Sequence, residues 1–228
     1  MIRTKVFLAF AVAVALAACQ QPSGGARQSA SAAKDDPLVE ALAAAGAEQE
    51  KDYQPTPYFK TKIKDAMVDM MDRLLTKCMD ASSEAQMTSC FHERMLTGFD
   101  RDGTVEKHCA PREDVGEDVK CIVFGGMGQD IASRLDNDAA ADFDWAAPEE
   151  STQYVMLQVV AQHLRNCLGS SSASDPFDCV IGSITKTLDL SVSDLDPCTE
   201  YKDEDVKFGS CVGETYGYKY MSGAIARM

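Results

Sequence analysis

The sequence predicts an all-α protein built as a tandem duplication of a disulfide-stapled three-helix unit. Eight of its nine cysteines form four close pairs, with eleven residues inside each of the first three pairs and twelve inside the last. The last two pairs repeat the first two at offsets of 89 or 90 residues, as expected for a duplication. Apolar residues around them recur at spacings of three and four, as on one helix face. The pairs are Cys78 with Cys90, Cys109 with Cys121, Cys167 with Cys179, and Cys198 with Cys211.

The charge of the chain limits its partners. Its 228 residues carry a formal net charge of -14 at pH 7. An acidic surface repels phosphate backbones, so we expect no nucleic-acid partner. The sequence contains no Cys-x-x-Cys pair of the kind that redox and zinc sites use, and we expect no cofactor.

The N-terminus predicts export. Residues 1–18 form a leader in which Arg3 and Lys5 precede an apolar run too short to span a bilayer. The leader ends in Leu16-Ala17-Ala18-Cys19, which resembles the lipobox of bacterial lipoproteins. The resemblance implies that the leader is cut before Cys19 and that this cysteine is acylated. Its acyl chains would hold the protein at a membrane of the bacterial cell envelope.

The region after the anchor, residues 19–57, predicts a tether with one short helix. By analogy with lipoprotein sorting in Gram-negative bacteria, Gln20 favours the outer membrane, on its periplasmic face or at the cell surface. Residues 20–34 are small and polar, so they cannot bury enough surface to become ordered. Asp36 and Pro37 then predict a helix start, and the alanine-rich helix is expected to dock loosely.

Each repeat is expected to hold three helices. The first repeat covers residues 58–135, an acidic junction covers 136–150, and the second repeat covers 151–228. The first helix has a predicted core face of Ile63, Met67, Met70, Met71 and Leu74. Three of these five positions stay apolar 89 residues later, and Thr152 and His163 are the exceptions. The two copies either merge into one bundle or stack as a short solenoid.

The cysteines are expected to form disulfides, because an exported chain reaches an oxidising compartment. Four cysteines in one repeat allow three connectivities. Gly, Pro, Ser and Asp between the members of each pair predict turns, so we favour bridges that close each loop, Cys78 with Cys90 and Cys109 with Cys121. A nested arrangement, Cys78 with Cys121 around Cys90 with Cys109, is the alternative.

One segment resembles a fragment of an EF-hand calcium loop. Asp100, Asp102 and Gly103 would occupy the third, fifth and sixth positions of that loop. Gly98 and Cys109 stand where its first and last carboxylates are needed. We interpret the segment as an ordinary turn, with a weak calcium site at Asp100 and Asp102 as the alternative.

Three tyrosines near the C-terminus are candidates for partner contact. On a helix, Tyr216 and Tyr220 share a face while Tyr218 points away, so at least one ring should be exposed. Exposed tyrosines suit contacts with proteins or glycans. We favour packing of these rings against the junction or the other repeat, and a contact surface is the alternative.

No residue can be assigned to catalysis from the sequence. His92, His108 and His163 are far apart, and none accompanies a recognisable nucleophile. We therefore expect a non-enzymatic, membrane-anchored envelope lipoprotein that acts as a structural or binding module for a protein or small molecule. A periplasmic inhibitor or ligand-capture domain and an enzyme of unrecognised type are the alternatives.

Overall fold

The predicted all-α class is confirmed, because every regular element in the described part of the chain is helical. The computed structural model describes residues 36–49, 57–111, 114–135, 142–168, 176–201 and 205–228. The predicted leader, Cys19 with most of the tether, and the start of the acidic junction lie outside these ranges.

Nine helical segments follow one another along the described ranges. They are α1 (Pro37–Gln49), α2 (Pro57–Cys78), α3 (Glu84–Phe99), α4 (Thr104–His108), α5 (Val115–Ala132), α6 (Pro148–Leu168), α7 (Pro176–Thr187), a 3-10 helix (Val192–Tyr201) and α8 (Asp205–Arg227). The short α4 and the 3-10 helix add one element to each half, beyond the three helices per repeat that the sequence predicts.

All four predicted disulfides are formed. Their Cα–Cα separations run from 5.6 to 5.8 Å, within the usual range. The second cysteine of each pair lies inside the following helix, so the loops are shorter than predicted. Helix-capping side chains explain the difference: Ser83 accepts a hydrogen bond from the backbone N–H of Gln86 in α3, and Asp114 accepts from that of Gly116 in α5.

The two halves of the chain interlock around one core. The first long helix of each half packs against the last helix of the other half, α2 against α8 and α6 against α5. Helix α3 contacts both α5 and α8, while α7 lies on α6. Buried side chains from both halves belong to a single cluster. The helices therefore form one bundle.

Helix α1 is docked more firmly than the sequence predicts. Val39 and Leu42 are fully buried, and α1 packs against α6. Asp36 accepts a hydrogen bond from the backbone N–H of Leu38, as a helix cap, and forms an ion pair with Arg165 of α6. Two apolar side chains and one ion pair therefore compensate for the alanine-rich face.

The glycines of α5 allow close helix contacts. A Cβ atom at Gly126 would lie 2.6 Å from the carbonyl oxygen of Phe99 and 2.6 Å from the hydroxyl of Tyr220. Cβ atoms at Gly125 and Gly128 would meet aromatic rings of the junction. Glycine costs helix propensity at these positions, but it lets α3, α8 and the junction approach the α5 backbone.

The two polar exceptions on the predicted core face of α6 are hydrogen-bonded. The hydroxyl of Thr152 is buried and lies 2.8 Å from the carbonyl oxygens of Phe124 and Pro148. The Nε2 atom of His163 lies 2.9 Å from the hydroxyl oxygen of Thr187 in α7. Each polar group therefore joins α6 to a neighbouring element without an unpaired buried atom.

Candidate functional site

Helix α2 carries two adjacent rows of apolar side chains, each spaced by four residues. The inner row is buried and consists of Ala66, Met70, Leu74 and Cys78. The outer row consists of Ile63, Met67, Met71 and Leu75. Ile63 is half-buried and the other three are exposed, Met67 by 51% and Leu75 by 49%. The expected core position of Met67 and Met71 is therefore wrong, because α3 and α8 cover only the inner row.

The outer row lies on an open face of α2 with charged residues at its edges. This face consists of the four outer-row residues together with Val68, Lys60, Lys64 and Asp72. The face carries two basic residues and one acidic residue, whereas the whole chain carries a net charge of -14. It thus combines exposed apolar surface with a local excess of positive charge.

A buried histidine–aspartate pair lies on the other side of Met71. The Nδ1 atom of His92 in α3 is 2.8 and 2.9 Å from the two carboxylate oxygens of Asp118 in α5. The pair lines a cavity of about 50 Å³, which holds a few water molecules at most. Substrate pockets are several times larger. The pair therefore joins α3 to α5 inside the protein.

The other two histidines lie elsewhere and have different partners. The ring of His108 stacks on that of Trp145, with centroids 4.5 Å apart and an angle of 7° between the planes. His163 belongs to the contact between α6 and α7. The structure thus brings none of the three histidines together with another.

Of the three tyrosines considered for partner contact, only one is partly exposed. Tyr216 and Tyr220 are only 3% and 5% exposed, so neither can meet a partner at the surface. Their rings pack between the two halves, in agreement with the favoured interpretation. Tyr218 is half-buried, and the ammonium nitrogen of Lys62 in α2 lies 5.9 Å from its ring centroid.

Asp130 of α5 holds the buried Tyr216 in place. Its carboxylate accepts a hydrogen bond from the hydroxyl of Tyr216 at 3.1 Å and forms ion pairs with Arg101 at 2.6 Å and Arg134 at 2.9 Å. Burial raises the pKa of Tyr216 well above its usual value, and the nearby Asp130 charge raises it further. Burial also raises the pKa of Tyr220 strongly.

The calcium candidates Asp100 and Asp102 cap helix α4. Asp100 accepts hydrogen bonds from the backbone N–H groups of Gly103 and Glu106, and Asp102 accepts one from Thr104, all at 2.9 Å. Hydrogen bonds from Thr104 lower the pKa of Asp102. Both carboxylates therefore stabilise the turn at the start of α4. Across the described ranges, no three His, Cys, Asp or Glu side chains are grouped so as to hold a metal ion.

The remaining site prediction, acylation of Cys19, lies outside the described residues. Among the helices that the structure describes, none combines the length and the apolar character needed to cross a bilayer. No family model matches the chain, and neither the curated proteins nor the solved structures include a significant match to it.

The outer row is the feature that sequence reasoning missed. Its signal was present, because α2 has apolar residues at two adjacent positions in successive turns, as at Ala66 with Met67 and at Met70 with Met71. A helix with one buried face needs only about 100° of apolar surface. The apolar sector of α2 is wider than that, so the excess either packs on a second element or remains exposed.

Proposed function

We propose that the chain is an envelope lipoprotein whose mature part is a non-enzymatic binding module. The observation that carries this proposal is the distribution of the cysteines. Eight of the nine are paired in disulfides, and the ninth is Cys19, at the end of the lipobox-like segment. The bridges suit an oxidising compartment, and Cys19 is left for acylation.

The proposed location of the lipoprotein is the outer membrane. Gln20 follows the acylated position, where an aspartate would favour retention at the inner membrane in Gram-negative sorting. Residues 20–35 then separate the anchor from the folded module.

A duplicated helical unit is the proposed origin of the module. An offset of 90 residues makes Gly126 equivalent to Tyr216, and Asp130 equivalent to Tyr220. Tyr216 hydrogen-bonds to Asp130, and Tyr220 lies against Gly126. Under the offset of 90, these two contacts are equivalent to each other with the two halves exchanged. Reciprocal contacts of this kind arise between copies related by a two-fold axis.

The helix order supports the same proposal. In each half, a long helix, a shorter helix, a short helical turn and a final helix follow in that order. Each first helix packs on the last helix of the other half, which is again reciprocal. The interlocked arrangement also explains why neither half contains a complete core of its own.

Binding fits the described surface better than catalysis does. The His92–Asp118 pair is enclosed beside a cavity of about 50 Å³, whereas the outer row offers an exposed apolar face. Contiguous exposed apolar surface of this kind is typical of interaction sites.

Mass spectrometry of the N-terminal peptide tests the anchor. The full chain is expressed in a Gram-negative host and purified from the membrane fraction. We expect a peptide that begins at Cys19 and carries acyl chains, and we expect the Cys19→Ser variant to leave the membrane fraction. An N-terminus at another residue, without acyl groups, would contradict the proposal.

A further inference from the structure

The outer row of α2 is an apolar face that the described part of the chain leaves uncovered. Met67 and Leu75 are about half exposed, at 51% and 49%, while Met70 and Leu74 of the adjacent inner row are 5% and 2% exposed. Neighbouring rows of one helix thus have the same chemistry but opposite environments. Burial of the outer row against another apolar phase would be favourable in proportion to the area removed from water.

The charge beside the outer row favours an anionic partner. Lys60 and Lys64 lie beside the N-terminal end of the row, on the same face of α2. Asp72 is the acidic residue of that face. The rest of the chain is strongly acidic, so an anionic surface would repel most of the protein and attract this helix. Electrostatics would therefore orient the module with α2 toward such a surface.

The composition of residues 20–34 predicts a tether that would keep any face of the module within reach of the membrane. Asp36 follows Cys19 by 17 residues. A flexible segment of that length averages about 20–25 Å from end to end and spans about 60 Å when extended. A domain of about 170 residues has a radius of gyration of about 15 Å. Tethering also raises the effective concentration of a weakly binding face at the membrane.

We propose that the outer row of α2 lies on the phospholipid surface at which Cys19 anchors the chain, with Lys60 and Lys64 at the anionic headgroups. The face is open and its apolar residues are flexible methionines and aliphatic side chains, which suits a fluid surface without fixed shape. A second copy that met this face with its own α2 is the poorer occupant, because Lys60 and Lys64 of the two chains would then face each other. The inference rests on the proposed anchoring.

Methionine oxidation provides the test. The mature chain, beginning at Cys19, has one thiol outside its four disulfides, and this thiol is coupled to a maleimide lipid in vesicles of phosphatidylcholine and phosphatidylglycerol. The charged oxidant chloramine-T is added, and sulfoxides are located by peptide mass spectrometry. Met67 and Met71 should oxidise readily in uncoupled protein and about tenfold more slowly on vesicles, as for a docked state populated about ten to one. Buried Met70 and Met95 report an intact fold in every sample.

Matched variants identify the surface responsible. Leu75→Asp should abolish the protection of Met67 and Met71, whereas Val192→Asp, at an exposed apolar residue of the 3-10 helix, should leave it unchanged. The protection of Met67 and Met71 should be weaker in the double variant Lys60→Glu with Lys64→Glu. It should also be weaker on vesicles of phosphatidylcholine alone.

Three outcomes would overturn the inference. They are equal oxidation with and without vesicles, protection that appears in solution as protein concentration rises, and protection that requires an added protein. The first leaves α2 without a lipid contact, the second assigns the outer row to a second copy, and the third assigns it to a protein partner. Coupling here is chemical, so these outcomes are independent of whether Cys19 is acylated in cells. The proposed function therefore stands or fails separately.

Discussion

The hydroxyl of Tyr216 on α8 donates a hydrogen bond to the carboxylate of Asp130 on α5, at 3.1 Å and across 86 residues of sequence. This contact lies between the halves of the chain, where the side chain of Asp130 is only 7% exposed. A buried carboxylate must be paired to be tolerated, and Arg101 and Arg134 complete its pairing. The tyrosine thus contributes to the bundle rather than to the surface.

Tyr216→Phe should lower the free energy of unfolding by about 1–2 kcal/mol, the cost of a hydrogen bond to a charged partner that keeps its other contacts. Urea unfolding followed by circular dichroism measures the change. Tyr218→Phe is the matched control, because its ring is half-buried, and it should change stability by less than about 0.5 kcal/mol. Equal losses in both variants would show that the bond to Asp130 has no special role.

Gly126→Ala should destabilise the protein even though alanine is the better helix former. The added Cβ would meet the carbonyl oxygen of Phe99 at 2.6 Å, and relief requires backbone movement that costs about 1–3 kcal/mol. Gly217→Ala on α8 has open space around the new Cβ and should gain up to about 1 kcal/mol from helix propensity. Thermal unfolding of the two variants should therefore shift in opposite directions.

The disulfide Cys109–Cys121 should contribute more stability than Cys78–Cys90. Both have a sequence separation of 12, so their chain-entropy contributions are the same, about 3 kcal/mol each. Cys109 and Cys121 are fully buried, whereas Cys90 is half-buried, so replacing the former pair by alanine also leaves a cavity. Urea unfolding of the two double-alanine variants compares them. A larger loss for Cys78 and Cys90 would contradict the burial assigned to the two bridges.

Stability should fall at alkaline pH because of the two buried tyrosines. Burial raises the pKa of Tyr216 and Tyr220 above the unfolded value of about 10. Above that pH the unfolded chain releases protons that the folded chain retains, so their stabilising contribution is complete below about pH 10 and declines as pH rises. The urea midpoint, followed together with phenolate absorbance, measures this effect.

The variant Tyr216→Phe with Tyr220→Phe should show a flatter decline in the alkaline range. The five other tyrosines remain in the variant and serve as the background. Phenolate absorbance that rises fully near pH 10 while the wild-type helices are still intact would mean that both hydroxyls are solvated.

Local patterns predicted several elements correctly. The cysteine intervals predicted all four bridges, because a disulfide across a short loop depends only on residues that are close in sequence. Asp36 and Pro37 marked the start of α1 for the same reason. The starts of α3 and α5 were predicted less well, because Ser83 and Asp114 cap these helices several residues before Cys90 and Cys121.

The sequence by itself determined the helical class, the cysteine register and the faces that each helix could present. Only the tertiary structure decided which of those faces are covered. Periodicity placed Met67 and Met70 in the same apolar sector, but α3 and α8 cover only Met70. Periodicity also could not identify the partner of Tyr216. Asp130 lies 86 residues away in sequence, and only the crossing of α5 and α8 brings the two side chains together. Helical periodicity is a property of one segment, whereas burial depends on which segments meet in space.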